Sequence, residues 1–263
     1  MRKDYHIHPV VLGEADRFDA FVRRAVEKNI GEICVTDHMP LSVSRAADRI
    51  EPGRVRDYIT RVRELAKEYS GIIEIKCGIE IDYHPSVTDE ILRVLDAGEF
   101  DFVLASSHMH VFISDLGKYT KNDFARAALE NSISAVETGL FSAVAHPDMY
   151  RFVFENPDRF PLKKSEYCLM PLMPLVDELI DNVKKRDLYL EINPHLAESK
   201  RDIEYVYPQK EIVHLALEKG VKFSYGSDAH EPSSVGAFLC ELENHPVYGK
   251  ALEKWEGTNE KNR

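Results

Sequence analysis

The 263-residue sequence lacks the features that direct a protein out of the cytoplasm or into a membrane. No apolar run is long enough for a secretion signal or a membrane span. Repeats, low-complexity tracts and linker-like segments are also absent. We therefore expect a cytoplasmic protein without membrane partners, organised as a single domain over residues 1–263 with a frayed tail at 257–263.

Cysteine is scarce, and no pair has the C-x-x-C spacing of zinc sites and redox motifs. Two of the four cysteines lie in apolar, strand-like runs, and all are far apart in the sequence: Cys34, Cys77, Cys168 and Cys240. Disulfides are typical of exported proteins, whereas cytoplasmic cysteines stay reduced. We therefore interpret the cysteines as reduced core residues.

The chain also lacks an excess of basic residues. It has 34 lysine and arginine residues against 45 aspartate and glutamate residues, which gives a formal net charge of -11 and an isoelectric point of about 5.5. Nucleic-acid-binding proteins usually present a basic face, so we expect no nucleic-acid partner. An acidic protein can nevertheless bind phosphate where metal ions reverse the local field.

Short apolar segments alternate with longer amphipathic segments along the chain. The apolar segments lie at 5–7, 33–35, 72–81, 102–105, 142–145, 188–192 and 221–225, and the helix-like segments at 16–28, 52–69, 86–97, 121–138, 172–186, 208–219 and 233–243. Such alternation is typical of parallel strands joined by crossover helices. We predict an α/β fold, a distorted seven-stranded (β/α)7 TIM-like barrel, with long functional loops at 147–170 and 194–206.

Histidine and acidic residues recur at the C-terminal ends of the strand-like segments. They occur in the motifs His6-x-His8, Thr36-Asp37-His38, Gly78-Ile79-Glu80, Ser106-Ser107-His108, His146-Pro147-Asp148 and Gly226-Ser227-Asp228-Ala229-His230. Barrel enzymes carry catalytic groups at this end, and imidazole and carboxylate bind zinc, iron or manganese. One histidine at a strand end is more often structural, but six sites in register indicate a shared metal centre.

These ordered motifs, between Asp4 and Gly236, resemble those of the polymerase and histidinol phosphatase (PHP) family. The resemblance implies a distorted seven-stranded barrel with a trinuclear centre, and so two or three divalent ions of zinc, manganese or iron. Carried over position by position, it implies one ion held by His6, His8, Glu80 and Asp228. It implies a second ion held by Glu80, His108 and His146, with Glu80 as the bridge.

The third metal position departs from the family pattern. Related phosphatases usually have a histidine six residues after the second histidine of the first motif, and this chain has Glu14 there. We expect Glu14 to complete a site with His38 and His230, which would favour harder ions such as manganese. Alternatively, Glu14 or Asp16 simply lies at a helix N-terminus, where the helix dipole favours acids. Asp37 is expected to contact a ligand rather than to be one.

Two segments resemble the histidinol-phosphate phosphatase branch of the family. Arg151 follows the ligand His146 by five residues and is a candidate phosphate anchor, unless it is merely an exposed arginine. The branch has a second arginine shortly after the Glu-Ile-Asn motif found here at 191–193, but this chain has none at that place. Arg201 is the candidate substitute, with His195 as a polar alternative. The expected substrate is a small phosphate monoester, L-histidinol phosphate.

The implied reaction is hydrolysis by attack of a metal-bridging hydroxide on phosphorus, in line with the leaving group. The ligands assigned to catalysis are Glu80, Asp228, His230 and His38. The proton for the departing alkoxide would come from His195 or from a metal-bound water. His110 could line the pocket.

Other interpretations stay open. Aromatic residues of the 147–170 loop could wall the substrate or pack beneath the loop: Tyr150, Phe152, Phe154 and Phe160. The same scaffold could serve a nuclease, a nucleotide phosphoesterase or a protein-tyrosine phosphatase. A non-catalytic alternative is an inactive metal-binding regulatory module, but such modules lose ligands and only the Glu14 position is substituted here. The sequence does not indicate an oligomeric state.

Overall fold

The computed structural model describes residues 1–13, 15–43, 49–51, 53–108, 113, 115–253 and 255. In this part of the chain the strands are β1 (Arg2–Ile7), β2 (Ile30–Val35), β3 (Glu74–Asp82), β4 (Phe102–Ser106), β5 (Ala143–Val144), β6 (Tyr189–Ile192) and β7 (Lys222–Tyr225). The helices are α1 (Ala15–Glu27), α2 (Val55–Glu68), α3 (Thr88–Leu95), α4 (Lys121–Thr138), α5 (Tyr150–Glu155), α6 (Met173–Lys185), α7 (His195–Lys200), α8 (Lys210–Lys219), α9 (Leu239–Asn244) and α10 (Tyr248–Leu252). Each apolar segment of the sequence overlaps one of these strands.

The strands form one parallel sheet in which neighbours in sequence are neighbours in space, from β1 to β7. The two ends of the sheet meet, because Ile7 at the end of β1 forms a parallel bridge with Ala229 beyond β7. The Asp228 amide also donates to the His6 carbonyl at 2.7 Å. The sheet is thus a nearly closed barrel, and the predicted distorted seven-stranded barrel is confirmed.

Asp4 supports this closure from a buried position. Its carboxylate accepts hydrogen bonds from the amides of Ser227 at 2.8 Å and Gly236 at 3.1 Å. Burial raises the pKa of Asp4 to about 6, because a charged carboxylate is costly away from water. These bonds hold β1 against the loop after β7, which carries two of the predicted ligands.

The helices pack on the outside of the barrel through apolar faces. In α2 the residues Val55, Tyr58, Val62 and Leu65 recur at spacings of three and four, and all are buried. Tyr5 and Phe102 meet edge to face at 5.0 Å although β1 and β4 are not neighbours in the sheet, so they pack inside the barrel. Apolar packing fills this interior, while the C-terminal ends of the strands carry buried polar groups.

Two regions predicted to be long loops contain short helices. Helix α5 lies within 147–170, and helix α7 lies within 194–206. Each has six residues, which is too short for a helical period to be visible in the sequence. The loop prediction is wrong at these residues.

The cysteines divide into two classes. Cys34 and Cys77 are buried on the neighbouring strands β2 and β3, whereas Cys168 and Cys240 are exposed. All four are free thiols. The interpretation as core residues is therefore wrong for Cys168 and Cys240, which lie outside the strands.

Three sequence predictions fall on residues outside the described ranges. They concern Glu14 as a ligand, His110 as a pocket residue and 257–263 as a frayed tail. Within the described ranges, no helix has the length and apolar character needed to cross a bilayer.

Candidate metal centre

The predicted ligands lie together at one end of the barrel. His6 belongs to β1, His8 follows it directly, and Glu80 belongs to β3. The remaining ligands follow the C-terminal ends of β2, β4, β5 and β7: His38, His108, His146, Asp228 and His230. Parallel strands point the same way, so residues that are far apart in the sequence meet at this end.

Glu80 lies at the centre of the cluster, and its two carboxylate oxygens face different histidines. Oε2 lies 2.9 Å from His38 Nδ1, 3.4 Å from His6 Nε2 and 3.5 Å from His8 Nε2. Oε1 lies 3.0 Å from His146 Nε2. A carboxylate with a separate set of imidazoles at each oxygen has the arrangement that a bridge between two cations requires.

Asp228 extends the cluster on the side of β1. Its Oδ1 lies 3.2 Å from His8 Nε2 and 3.6 Å from His6 Nε2. The backbone at Asp228 has a φ of 56°, in the left-handed region that residues other than glycine seldom occupy. The His230 ring, two residues later, stacks on His8 with 4.4 Å between centroids. The strained loop after β7 therefore directs two ligand-type side chains to the β1 histidines.

Several nitrogens in this cluster have the environment of metal ligands. His6 Nε2 and both ring nitrogens of His8 are buried and form no hydrogen bond within the described part of the chain. The Nε2 atoms of His6 and His8 face the oxygens of Glu80 and Asp228 at 3.2–3.6 Å. In a tetrahedral site with metal–ligand distances of about 2.1 Å, neighbouring ligand atoms lie about 3.4 Å apart. The residues present thus fit divalent cations.

The ligand atoms fall into overlapping groups. In each group one ligand atom per residue lies within 4.8 Å of the others: His6, His8 and Asp228; His6, Glu80 and His146; and His8, His38 and His230. The first two groups share members with the two sites implied by the family resemblance. The third group contains the two histidines predicted to hold the third ion.

Burial and neighbouring charges set the protonation of the cluster. Burial lowers the pKa of His8 well below its usual value, and His38 and His230 lower it further. Its ring is therefore neutral near pH 7 and keeps a lone pair for a cation. Burial opposes ionisation of Glu80 and Asp228, but nearby histidines outweigh it and hold the pKa of each carboxyl well below its usual range. Both residues offer charged oxygens.

Two further buried carboxylates hold the far side of the histidine rings. Glu191 Oε1 accepts a hydrogen bond from His6 Nδ1 at 2.6 Å, and Asp82 Oδ1 accepts one from His108 Nδ1. The opposite nitrogen of each ring faces Glu80, at 3.4 Å for His6 and 3.9 Å for His108. A carboxylate on Nδ1–H fixes the tautomer that keeps Nε2 free to bind a metal.

Each buried histidine and its carboxylate partner shift one another's pKa. Burial disfavours a charged His6, but Glu191, Asp228 and Glu80 outweigh it and hold the pKa of His6 well above its usual value. Burial likewise opposes ionisation of Asp82, yet its histidine partner lowers the pKa of Asp82 to about 2. A divalent cation among these carboxylates would take the place of the His6 proton.

The roles of Asp82 and Glu191 are not predicted from the sequence, in which Glu191 stands out only as part of the Glu-Ile-Asn motif. Asp82 lies two residues after Glu80 on β3, and residues two apart on a strand share a face. That spacing could have indicated it. Nothing in the sequence pairs Glu191 with His6, because the two residues are 185 positions apart.

Asp37 and Asp148 flank ligands and have identifiable structural partners. The Asp37 carboxylate accepts hydrogen bonds from the amides of Val10 at 2.9 Å and Val11 at 3.0 Å, so it holds the loop that follows His8. Buried Asp148 accepts one from the Gln209 amide at 2.9 Å. Both carboxylates therefore position loops at the mouth of the barrel.

The predicted substrate residues lie in different surroundings. Arg151 is largely buried and donates to Asp148 Oδ2 at 3.2 Å and to the carbonyls of Val206 and Glu204 at 2.9 and 2.7 Å. Arg201 is exposed at the C-terminal end of α7. The structure thus assigns Arg151 a part in holding the loop before α8. Its role as a phosphate anchor, and that of Arg201, stay predictions.

His195 begins α7 and lies at the edge of the cluster. Its Nδ1 lies 3.3 Å from the Asp228 carbonyl oxygen, and its ring centroid lies 5.7 Å from that of His230. The side chain is 34% exposed. His195 therefore lies between the buried ligands and solvent.

The aromatic residues of the 147–170 region pack mainly against one another. Tyr150 and Phe154 are buried with centroids 5.6 Å apart, and Tyr167 lies 5.2 Å from Phe154. Phe152 contacts Phe160 at 6.0 Å. This packing agrees with the simpler of the two interpretations, a small core beneath the region.

Known proteins resemble this chain over most of its length. The "Probable histidinol-phosphatase" of Deinococcus radiodurans is 27% identical over 249 residues, which cover 89% of this chain and 88% of that protein. The histidinol-phosphatase of Bacillus subtilis strain 168 is 26% identical over 279 residues, which cover 92% of this chain and 98% of that protein.

A solved structure supports the same fold. The histidinol phosphate phosphatase of Lactococcus lactis subsp. lactis, solved with zinc, L-histidinol and phosphate, matches with a TM-score of 0.73 at 20% identity, over 95% of this chain and 93% of that one. In addition, the family model described as PHP domain matches residues 4–195, more than half of the chain. On this evidence the chain belongs to the PHP domain family.

Proposed function

We propose that the protein is a metal-dependent phosphomonoesterase that hydrolyses L-histidinol phosphate to L-histidinol and phosphate, and that residues 1–263 act as a single PHP-type unit in the cytoplasm. The observation that carries the proposal is the position of Glu80, whose two oxygens face separate histidines within one buried cluster. The histidinol-phosphatase relatives and the Lactococcus complex support the choice of substrate.

We assign the ligands as follows. One ion is held by His6, His8, Glu80 and Asp228, a second by Glu80, His108 and His146, and a third by His38 and His230 with Glu14. When bound, divalent zinc, manganese or iron supplies an activated water and neutralises charge on the phosphoryl oxygens.

The protein's own residues orient and stabilise this chemistry. Glu191 and Asp82 hold Nδ1 of His6 and of His108, so that the other nitrogen of each ring points toward Glu80. His195 lies 34% exposed at the solvent side of the cluster, the side from which the substrate enters. Burial of the cluster excludes water and strengthens the electrostatic interactions of its charged groups with a phosphate.

A comparison of substrates tests the proposed specificity. The metal-loaded enzyme is assayed with L-histidinol phosphate, an aryl phosphate, phosphotyrosine and a single-stranded oligonucleotide. We expect kcat/KM for L-histidinol phosphate to exceed the others by several orders of magnitude. Equal rates on all monoesters would remove the substrate assignment, and preference for the oligonucleotide would favour a nuclease. A metal-loaded protein that releases no phosphate would favour the regulatory-module interpretation.

Two ligand variants test the assignment of the site. His146→Ala and Asp228→Ala each remove a charged or coordinating group, and we expect kcat/KM to fall by about 10³-fold or more. His214 is an exposed histidine of α8, 66% exposed, and His214→Ala is the matched control. Circular dichroism should show the same fold in all three variants. Near-normal turnover in either ligand variant would refute the site.

A further inference from the structure

We propose that His195 is a metal ligand in this protein, and that it joins His230 and Asp228 in holding the ion at the solvent side of the cluster. This inference rests on the proposed metal-dependent function, and it changes the composition of the third site. The family pattern places an imidazole at position 14, where this chain has Glu14. His195 supplies an imidazole from the start of α7, after β6.

The distances bring the three residues within reach of one cation. One ligand atom each of His195, Asp228 and His230 lies within 4.8 Å of the other two. His195 Nδ1 lies 3.9 Å from Asp228 Oδ2 and donates a hydrogen bond to the Asp228 carbonyl at 3.3 Å, so Nε2 is the nitrogen left to bind an ion. The two imidazole centroids are 5.7 Å apart, and the ring planes are inclined at 62°. The three side chains therefore form a group that could hold a metal ion.

The Asp228 carboxylate has one oxygen available on this side. Its Oδ1 faces His8 and His6 at 3.2 and 3.6 Å on the buried side of the cluster, and it also lies 3.7 Å from His230 Nδ1. Its Oδ2 faces His195 and also accepts a hydrogen bond from Asn193 Nδ2 at 3.3 Å. Asp228 can therefore bind one ion through each oxygen, as proposed for Glu80.

Hydrogen bonds fix the backbone at His195, so the imidazole extends from a defined point beside the cluster. Asn193 Oδ1 accepts a hydrogen bond from the His195 amide at 2.9 Å. Asn193 also pairs with Tyr207 through two backbone hydrogen bonds of 2.7 and 2.8 Å. The next residue, Leu196, is buried and anchors the first turn of α7.

The exposure of the two histidines suits an ion with open positions. The side chains of His195 and His230 are 34% and 39% exposed, whereas His6 and His8 are at most 1% exposed. Catalytic metal sites keep a position open for water or substrate, unlike structural sites. Imidazole ligands also favour zinc over harder ions, the opposite of the preference that Glu14 would confer.

Counting bound ions tests the inference. The full-length protein is loaded with zinc, passed over a desalting column and analysed by inductively coupled plasma mass spectrometry. We expect three ions per chain in the wild type and in the control His214→Ala, and two in His195→Ala. Competition with a chelator should show that the affinity for the lost ion falls by more than about 100-fold.

A second variant covers the case in which alanine at 195 disturbs the fold. His195→Gln keeps a ligand-type oxygen near the position of Nε2, so we expect it to regain the third ion with reduced affinity. Three ions in His195→Ala would overturn the inference. Two ions in both His195→Ala and the wild type would overturn it as well. If His195→Ala keeps all its ions and only KM rises, His195 contacts substrate and the inference fails. A wild type without metal or phosphatase activity would contradict the proposed function itself.

Discussion

Single residues outside the cluster fix the orientation of its histidine side chains. Glu191 accepts hydrogen bonds from His6 Nδ1 at 2.6 Å, from the His146 amide at 2.8 Å and from Asn193 Nδ2 at 3.1 Å. One carboxylate thus fixes a ring on β1 and the backbone after β5. His146 needs this support because its φ is 26°, in the left-handed region.

At this scale we predict the effect of Glu191→Gln. An amide has one accepting oxygen, so its NH2 group must face either the His6 ring or the His146 amide, both of which donate hydrogen bonds. We expect metal affinity to fall by about 10- to 100-fold, with a parallel fall in kcat/KM at limiting metal. Chelator competition measures the affinity. Glu211→Gln, an exposed change on α8, is the control, and unchanged affinity in Glu191→Gln would contradict the positioning role.

At the scale of elements, the approach of the β7 loop to β1 and β6 depends on Gly226. A Cβ added at this position would overlap the Glu191 carboxylate and the Cβ of His6. The residue follows β7 directly, where the loop turns to deliver Asp228. Close contact of these three elements therefore requires glycine.

We predict that Gly226→Ala both destabilises the barrel and loosens the metal site. Overpacking of this kind costs about 1–3 kcal/mol, so the free energy of unfolding in urea should fall by that amount. Displacement of His6 and Glu191 should also weaken metal binding. Gly117→Ala is the control, since a Cβ there would lie 3.5 Å from its nearest neighbour, Asp115 Oδ1. Wild-type stability in Gly226→Ala would show that the loop can shift without cost.

Across the whole molecule, the proposed ions connect the two ends of the sheet. Their proposed ligands lie at or after the C-terminal ends of β1 to β7, with His195 following β6. The strands β1 and β7 meet at the bridge between Ile7 and Ala229. Cations that join His6 and His8 to Asp228 would therefore reinforce the place where the barrel closes.

We expect metal removal to lower the melting temperature of the protein. An ion at 100 times its dissociation constant stabilises the folded state by about 2.7 kcal/mol, and each kcal/mol corresponds to about 2–4 °C for a protein of this size. Calorimetry before and after dialysis against a chelator should show a fall of about 5–10 °C per ion removed. Restoring the metal should reverse it, and Asp228→Ala should respond less. A metal-free protein with an unchanged melting temperature would contradict this stabilising role.

The order of elements could be predicted from the sequence because it is encoded locally. The seven strands and the long helices follow from short apolar runs and from helical spacing such as that in α2, since each pattern lies within one segment. The histidines and acids at strand ends are equally visible, and right-handed parallel connection brings them to one end of a barrel. The short helices α5 and α7 lacked such a pattern and were missed.

The sequence by itself thus determined the barrel and the set of ligand-type residues at its C-terminal end. Only the tertiary structure decided which nitrogen faces which oxygen, that Glu191 holds His6, that Arg151 binds carbonyls of a neighbouring loop, and that His195 reaches Asp228. These contacts join residues on different strands and loops. Their distances depend on how the loops pack, and no spacing within one segment encodes that.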